Sequence, residues 1–151
     1  MRKWLIGAIL IFSIFGGTAS VYAALAHFDL GDSSFCSINE TFDCEVVNKS
    51  SYSEFLGIPV SLMGFGAYIF LFISTIIYIF RNEESAITAM TVFAIVGLFF
   101  SLYLTFIEAL VLYTWCLLCL ASQLSILVIA VSLFRLRHID HIKPKLEIIH
   151  D

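Results

Sequence analysis

The chain has 151 residues, of which 60% are apolar and only 13% charged, with a mean hydropathy of +0.98. Such a composition excludes an ordinary water-soluble globule, and the length supports one domain, 1–151. The net charge of −4 decides little, because its distribution matters more than its sum, and no nucleic-acid partner is expected.

Four apolar stretches, at about 4–26, 58–80, 86–113 and 115–134, approach or exceed the roughly 20 residues that carry a helix across ~30 Å of hydrocarbon. In lipid every backbone amide needs an internal partner, so these segments are expected as helices. The expected fold is all-α, a four-helix transmembrane bundle. Span one follows Met1-Arg2-Lys3 and ends near Val21-Tyr22-Ala23, a pattern also compatible with a signal peptide. Its apolar run exceeds the usual signal core, which favours a retained anchor. Gly16-Gly17 is either a close-packing point or the ordinary glycine content of membrane helices.

The loop at 27–57 is rich in Asp, Ser, Asn and Glu. Within it Ser50–Leu56 is expected as a short amphipathic helix, with Ser50 or Ser51 as N-cap and Glu54 near N3. Pro59 suits the first turn of span two, and Gly64-Phe65-Gly66 marks a second close-packing point. A short turn at 81–85 makes spans two and three antiparallel neighbours. Tyr113-Thr114-Trp115 forms a tight interfacial turn into span four, and the polar tail at 135–151 is expected to fray. Asn39-Glu40-Thr41 and Asn48-Lys49-Ser50 match glycosylation sequons, which are weak signals. His27, His138, His141 and His150 read as solvated groups.

Charge sets the orientation. Seven of the eight basic residues, Arg2, Lys3, Arg81, Arg135, Arg137, Lys143 and Lys145, fall on one side of a four-span chain. Both termini are therefore expected in the cytoplasm and the 27–57 loop outside, as an extracytoplasmic cap. That places both cysteine pairs in a compartment that permits disulfides.

The pairs are Cys36…Cys44 in the loop and Cys116-Leu-Leu-Cys119 at the head of span four. A C-x-x-C pair on one helical turn can cycle between dithiol and disulfide, and a loop pair can exchange with it. The alternative is two structural disulfides in a non-enzymatic membrane protein. Metal binding is disfavoured by the loose C-x7-C spacing and by the leucines around the second pair. Leu120 stands where a haem-attachment motif needs His. Glu108, an ionisable residue inside span three, is by default functional, although snorkelling to the interface or docking the loop competes. With no flavin or dinucleotide fingerprint, the electron acceptor reachable from an apolar bundle is a lipid-soluble quinone.

Asp43-Cys44-Glu45-Val46-Val47, Ser50, Gly57-Ile58-Pro59-Val60-Ser61, Gly64 and Tyr68 resemble the loop and second helix of the vitamin K epoxide reductase family. Tyr103-Leu104, Glu108, Leu112-Tyr113 and Cys116-Leu-Leu-Cys119 resemble its third and fourth helices, so the likeness covers roughly residues 10–135. The resemblance implies four helices around a quinone pocket. It assigns electron entry to Cys36, exchange with Cys116 to Cys44, and the thiol next to the quinone to Cys119. Ser50 matches a loop hydroxyl of the family's site, although an N-cap explains it equally. Val60 departs from some vertebrate relatives, which carry Asn there, so quinone binding is expected to lean on apolar contacts and another donor.

The resulting expectation is a quinone-dependent thiol oxidoreductase of the prokaryotic type, multi-pass in the cell membrane, without a fused thioredoxin-like domain. Its substrates would be a ubiquinone, menaquinone or vitamin K-type quinone and a separate extracytoplasmic thioredoxin-like (DsbA-like) protein. The enzymatic alternative is reduction of vitamin K epoxide or quinone for its own sake.

Overall fold

The computed structural model describes residues 1–30, 36, 43–81 and 83–147. Helix α1 spans Arg2–His27, α2 Cys44–Asn48, α3 Val60–Arg81, α4 Glu84–Ile107 and α5 Leu117–Glu147. Strands β1, Glu54–Phe55, and β2, Ile58–Pro59, form a small antiparallel hairpin between α2 and α3. Four helical segments are long and apolar enough to cross a membrane: Arg2–His27, Val60–Arg81, Ser85–Leu112 and Leu117–Ile139. The expected all-α membrane bundle is therefore present.

The bundle closes as a ring. Helix α1 packs on α3 and α5, and α4 packs on the same two helices. Large apolar side chains such as Phe15, Phe80, Val96, Phe99, Phe106 and Phe134 point outward, the reverse of a water-soluble protein and the arrangement lipid requires. Between the helices small and hydroxylated residues are buried, among them Ala19, Ser20, Ala23, Thr75, Thr91 and Ser125. Thr75, Thr91 and Ser125 each donate to the carbonyl four residues earlier, at 2.7 Å. This removes the cost of an unpaired hydroxyl in the interior.

Gly16 resolves the open question about span one. The Tyr68 ring lies where a Gly16 Cβ would stand. Tyr68 Oη then reaches across the bundle, 2.7 Å from the Ser122 carbonyl and 2.9 Å from Ser122 Oγ. One glycine thus lets a tyrosine of α3 pass α1 and bond to α5. Gly64 also packs closely, beside Ser20, whereas Gly66 meets nothing within 4 Å.

Several expectations change, among them the place of Pro59, which ends β2 one residue before α3 rather than opening the helix. Ser50–Leu56 is not a helix: Ser51–Ser53 makes one 3-10 turn and Glu54 enters β1. Leu56 (φ 54°) and Gly57 (φ 79°) are both left-handed, as a two-residue hairpin turn requires. The segment after Phe134 is not frayed at its start but continues α5 through Glu147. Leu136 remains fully buried, so the packed stripe outlasts the expected span. Asn48 is buried as well, which removes its sequon from use in the folded chain; Asn39 and His150 lie outside the described residues.

The apolar core of Ile9, Tyr78, Ile87, Met90, Leu133 and Leu136 fills the end of the bundle nearest Arg81. At the opposite end, under the loop, Cys36, Cys44, Val47 and Cys116 form a second buried cluster.

Candidate active site

The site is assembled by three short features at the loop end. Asp43 caps α2, its Oδ1 accepting from Glu45 N at 2.9 Å and Val46 N at 3.4 Å. This cap fixes a helix of only five residues and aims Cys44 inward. Lys49, just after α2, reaches Asp29 Oδ1 at 2.6 Å and Glu45 Oε1 at 2.8 Å. Hydrogen bonds to Asp29 and then Glu45 hold its ammonium above the ordinary lysine value. Lys49 thereby clips α2 to the end of α1.

The second feature is the end of α4. Glu108–Leu112 winds as a π-helix and stops at Tyr113, whose φ of 52° is left-handed. Such π segments recur at functional sites. Here the wider turn leaves Glu108 facing inward at 2% exposure, so it does not snorkel. Glu108 Oε2 accepts the backbone N–H of Cys116 at 3.2 Å. Its carboxylate also interacts with the Cys119 side chain.

The third feature is the start of α5. Helix α5 begins at Leu117, so Cys116 stands one residue before it rather than in its first turn. Cys116 acts as the N-cap: its Sγ accepts the N–H of Cys119 at 3.3 Å, and its carbonyl accepts from Leu120 at 3.0 Å. The Cys116 sulfur therefore sits at the positive end of α5.

The four cysteines converge. Cys36 and Cys44 are joined as a disulfide, with Cα atoms 5.6 Å apart. Cys116 Sγ lies 3.3 Å from Cys44 Sγ, and Cys116 and Cys119 are free. Cys36, Cys44 and Cys116 are fully buried. The sulfurs of these three lie within 4.8 Å of one another, but two are bonded to each other. A zinc site wants separate thiolates, so the donor set as arranged does not suit one.

Beneath the sulfurs lies a cavity of about 450 Å³, within the usual size of small-molecule sites. It is walled by the loop-end halves of α1, α3, α4 and α5 and roofed by Asn48, Ser50 and Tyr52. Apolar residues such as Val60, Leu71, Phe93 and Phe100 line most of it. Of the four cysteines only Cys119 reaches its wall, together with Glu108. Ser50 lies at the roof but is no side-chain cap. Its Oγ donates to the Val47 carbonyl at 2.8 Å.

Two residues at the cavity were not singled out by sequence. His27 is mostly buried, not solvated: its Nδ1 lies 2.6 Å from the Asn48 carbonyl, and Nε2 is 3.4 Å from Glu54 Oε1. It ties the end of α1 to both α2 and the hairpin. Asn48 reads in sequence as a glycosylation site. Only the Asp43 N-cap, which places residues 44 and 48 on one helical face, signals that it turns inward.

No individual curated protein matches the chain. The model of the vitamin K epoxide reductase family matches residues 7–134, a stretch that takes in all four cysteines, the residues lining the cavity and most of each of the four spans. That family consists of membrane thiol oxidoreductases acting on quinones, and a C-x-x-C pair at the mouth of an apolar intramembrane cavity has that chemistry in outline. The chain belongs to the vitamin K epoxide reductase family.

Proposed function

We propose that the chain carries electrons from a separate thioredoxin-like (DsbA-like) protein, through Cys36–Cys44 and Cys116–Cys119, to a quinone in the cavity, and so supports disulfide formation. The observation that carries this reading is the order of the sulfurs. Cys44 and Cys116 stand 3.3 Å apart, and Cys119 alone among the cysteines lines the cavity.

The steps balance as follows. A thiolate of the partner attacks Cys36, releasing Cys44 as thiolate. Cys44 attacks Cys116 of a Cys116–Cys119 disulfide and expels Cys119. The partner's second thiol frees Cys36, which attacks Cys44 and releases Cys116. The partner is now oxidised, Cys36–Cys44 is a disulfide, and Cys116 and Cys119 hold two electrons as a dithiol. Their return to a disulfide passes two electrons and two protons to the quinone, giving the quinol. The state with Cys36–Cys44 bonded and Cys116 and Cys119 free is the one that precedes this last step.

Glu108 positions Cys116 through its backbone N–H, and Ser50 closes the cavity roof. The distribution of basic residues supports cytoplasmic termini and cysteines on the outer side. A purely structural pair of disulfides would not leave Cys116 and Cys119 free, with Cys119 against a cavity. Purified protein supplied with a reduced thioredoxin-like donor is expected to reduce a short-chain ubiquinone. Thiol oxidation of the donor with no quinol formed would refute the proposal.

A further inference from the structure

We propose that the side-chain amide of Asn48 is the hydrogen-bond donor that recognises a carbonyl oxygen of the quinone. This inference rests on the quinone reading above. Asn48 is the last residue of α2, is 5% exposed, and lines the cavity. Its backbone carbonyl is already taken by His27 at 2.6 Å. Its Nδ2, by contrast, is buried with no hydrogen-bond partner among the described residues. Buried amide groups are almost always paired, so an orphan at the wall of a cavity calls for an acceptor from a ligand.

Several other polar groups of the lining are already engaged, so they compete less for a ligand. Tyr68 Oη donates to the Ser122 carbonyl, and Ser50 Oγ to the Val47 carbonyl. The Thr105 hydroxyl sits against the Ser101 carbonyl and Gln123. Both His27 nitrogens face protein oxygens.

The chemistry of the acceptor follows from charge. Among the described residues the lining holds no Lys or Arg, and it includes the carboxyl of Glu108. An anionic ligand is disfavoured there, whereas a neutral carbonyl on an apolar ring fits both the donor and the walls. Asn48 and Cys119 line the same cavity, so a ring held through Asn48 shares its compartment with the thiol. Asn48 also lies one helical turn from Cys44 on α2. A ligand bound to its amide therefore contacts the helix that carries the relay.

The test uses the full chain in detergent, with dithiothreitol as dithiol and decylubiquinone as probe. Asn48→Leu removes the donor at similar size, and Asn48→Asp replaces it with an acceptor. Retention of the Cys36–Cys44 disulfide and the thermal midpoint report folding. Each folded variant is expected to raise the KM for decylubiquinone by about tenfold, the factor that one hydrogen bond of ordinary strength supplies.

In the unaltered protein, the infrared carbonyl band of bound ¹³C-carbonyl decylubiquinone is expected below its frequency in detergent alone. It should return toward that frequency in Asn48→Leu. An unchanged KM and a band that stays as far below its detergent frequency in Asn48→Leu as in the unaltered protein would overturn the Asn48 assignment alone. An unaltered protein that neither binds nor reduces decylubiquinone would overturn the quinone reading and this inference with it. No downshift in the unaltered protein would overturn the assignment whether or not either variant folds, since it means no donor.

Discussion

Cys44 and Cys116 are 72 positions apart in sequence, and their sulfur atoms lie 3.3 Å apart in a fully buried cluster. That separation is too short for unbonded sulfurs to ignore one another and is the approach a thiol–disulfide exchange needs. If the two exchange, removing either resolving thiol should freeze the intermediate. In Cys119→Ala, Cys116 has no second thiol on its helix, and in Cys36→Ala, Cys44 has none in its loop. Mass spectrometry of non-reduced peptides is expected to find a Cys44–Cys116 disulfide in most of the population of both variants. Free Cys44 and Cys116 in both, with quinone reduction undiminished, would remove the relay.

Glu108 supports the same approach from below. Glu108→Leu leaves the buried Cys116 N–H without its acceptor, a loss of about 1–3 kcal/mol. Glu108→Gln keeps a carbonyl oxygen in place. In the Cys119→Ala background, the Leu variant is expected to form the Cys44–Cys116 bond more slowly and the Gln variant at close to the parent rate. Equal rates in all three would deny Glu108 its positioning role.

The crossing of α1 and α3 yields a packing prediction. A side chain at Gly16 must displace Tyr68 and with it the bonds to Ser122, whereas Gly66 faces open space. Gly16→Leu is expected to lower stability by about 1–3 kcal/mol or more through overpacking, read as a fall in the thermal midpoint in detergent. Gly66→Ala should change it little, with the sign favourable because Ala is the better helix former. Equal effects at the two glycines would contradict the observed crossing.

What the sequence made legible follows from length scales. The four spans are long apolar runs, and a bilayer admits only one backbone solution for them, so helix type and number were readable. The cysteine pairs stand out in the sequence because C-x-x-C suggests redox chemistry without tertiary information. The roof of the cavity was not. Helix α2 has five residues and each hairpin strand two; elements that short carry no periodicity and are held by Asp43, Lys49 and His27 instead. Asn48 and His27 are polar residues in a polar loop, and only the folded contact between them turns both inward. Glu108 was visible as an anomaly, but its direction depends on the π turn that follows Ile107.

Orientation is open to a direct check. With cytoplasmic termini, a reporter fused after Asp151 should be active only inside the cell. After reduction, a membrane-impermeant thiol reagent should label Cys36 in intact cells. A reporter active only outside would place seven of the eight basic residues on the wrong side and contradict the four-span orientation.

The most direct test of the relay is stoichiometric. Protein is fully reduced with dithiothreitol, freed of it anaerobically, and mixed with excess decylubiquinone, and quinol and disulfides are counted together. Two dithiols hold four electrons, so the account predicts about two quinols per chain, with both Cys36–Cys44 and Cys116–Cys119 oxidised (by the two-electron balance of thiol–disulfide chemistry). Cys36→Ala should give about one, from oxidation of Cys116 and Cys119, with the disulfide then passing to Cys44–Cys116. Quinol formed in Cys119→Ala as fast as in the unaltered protein, or a reduced protein that yields none, would contradict it.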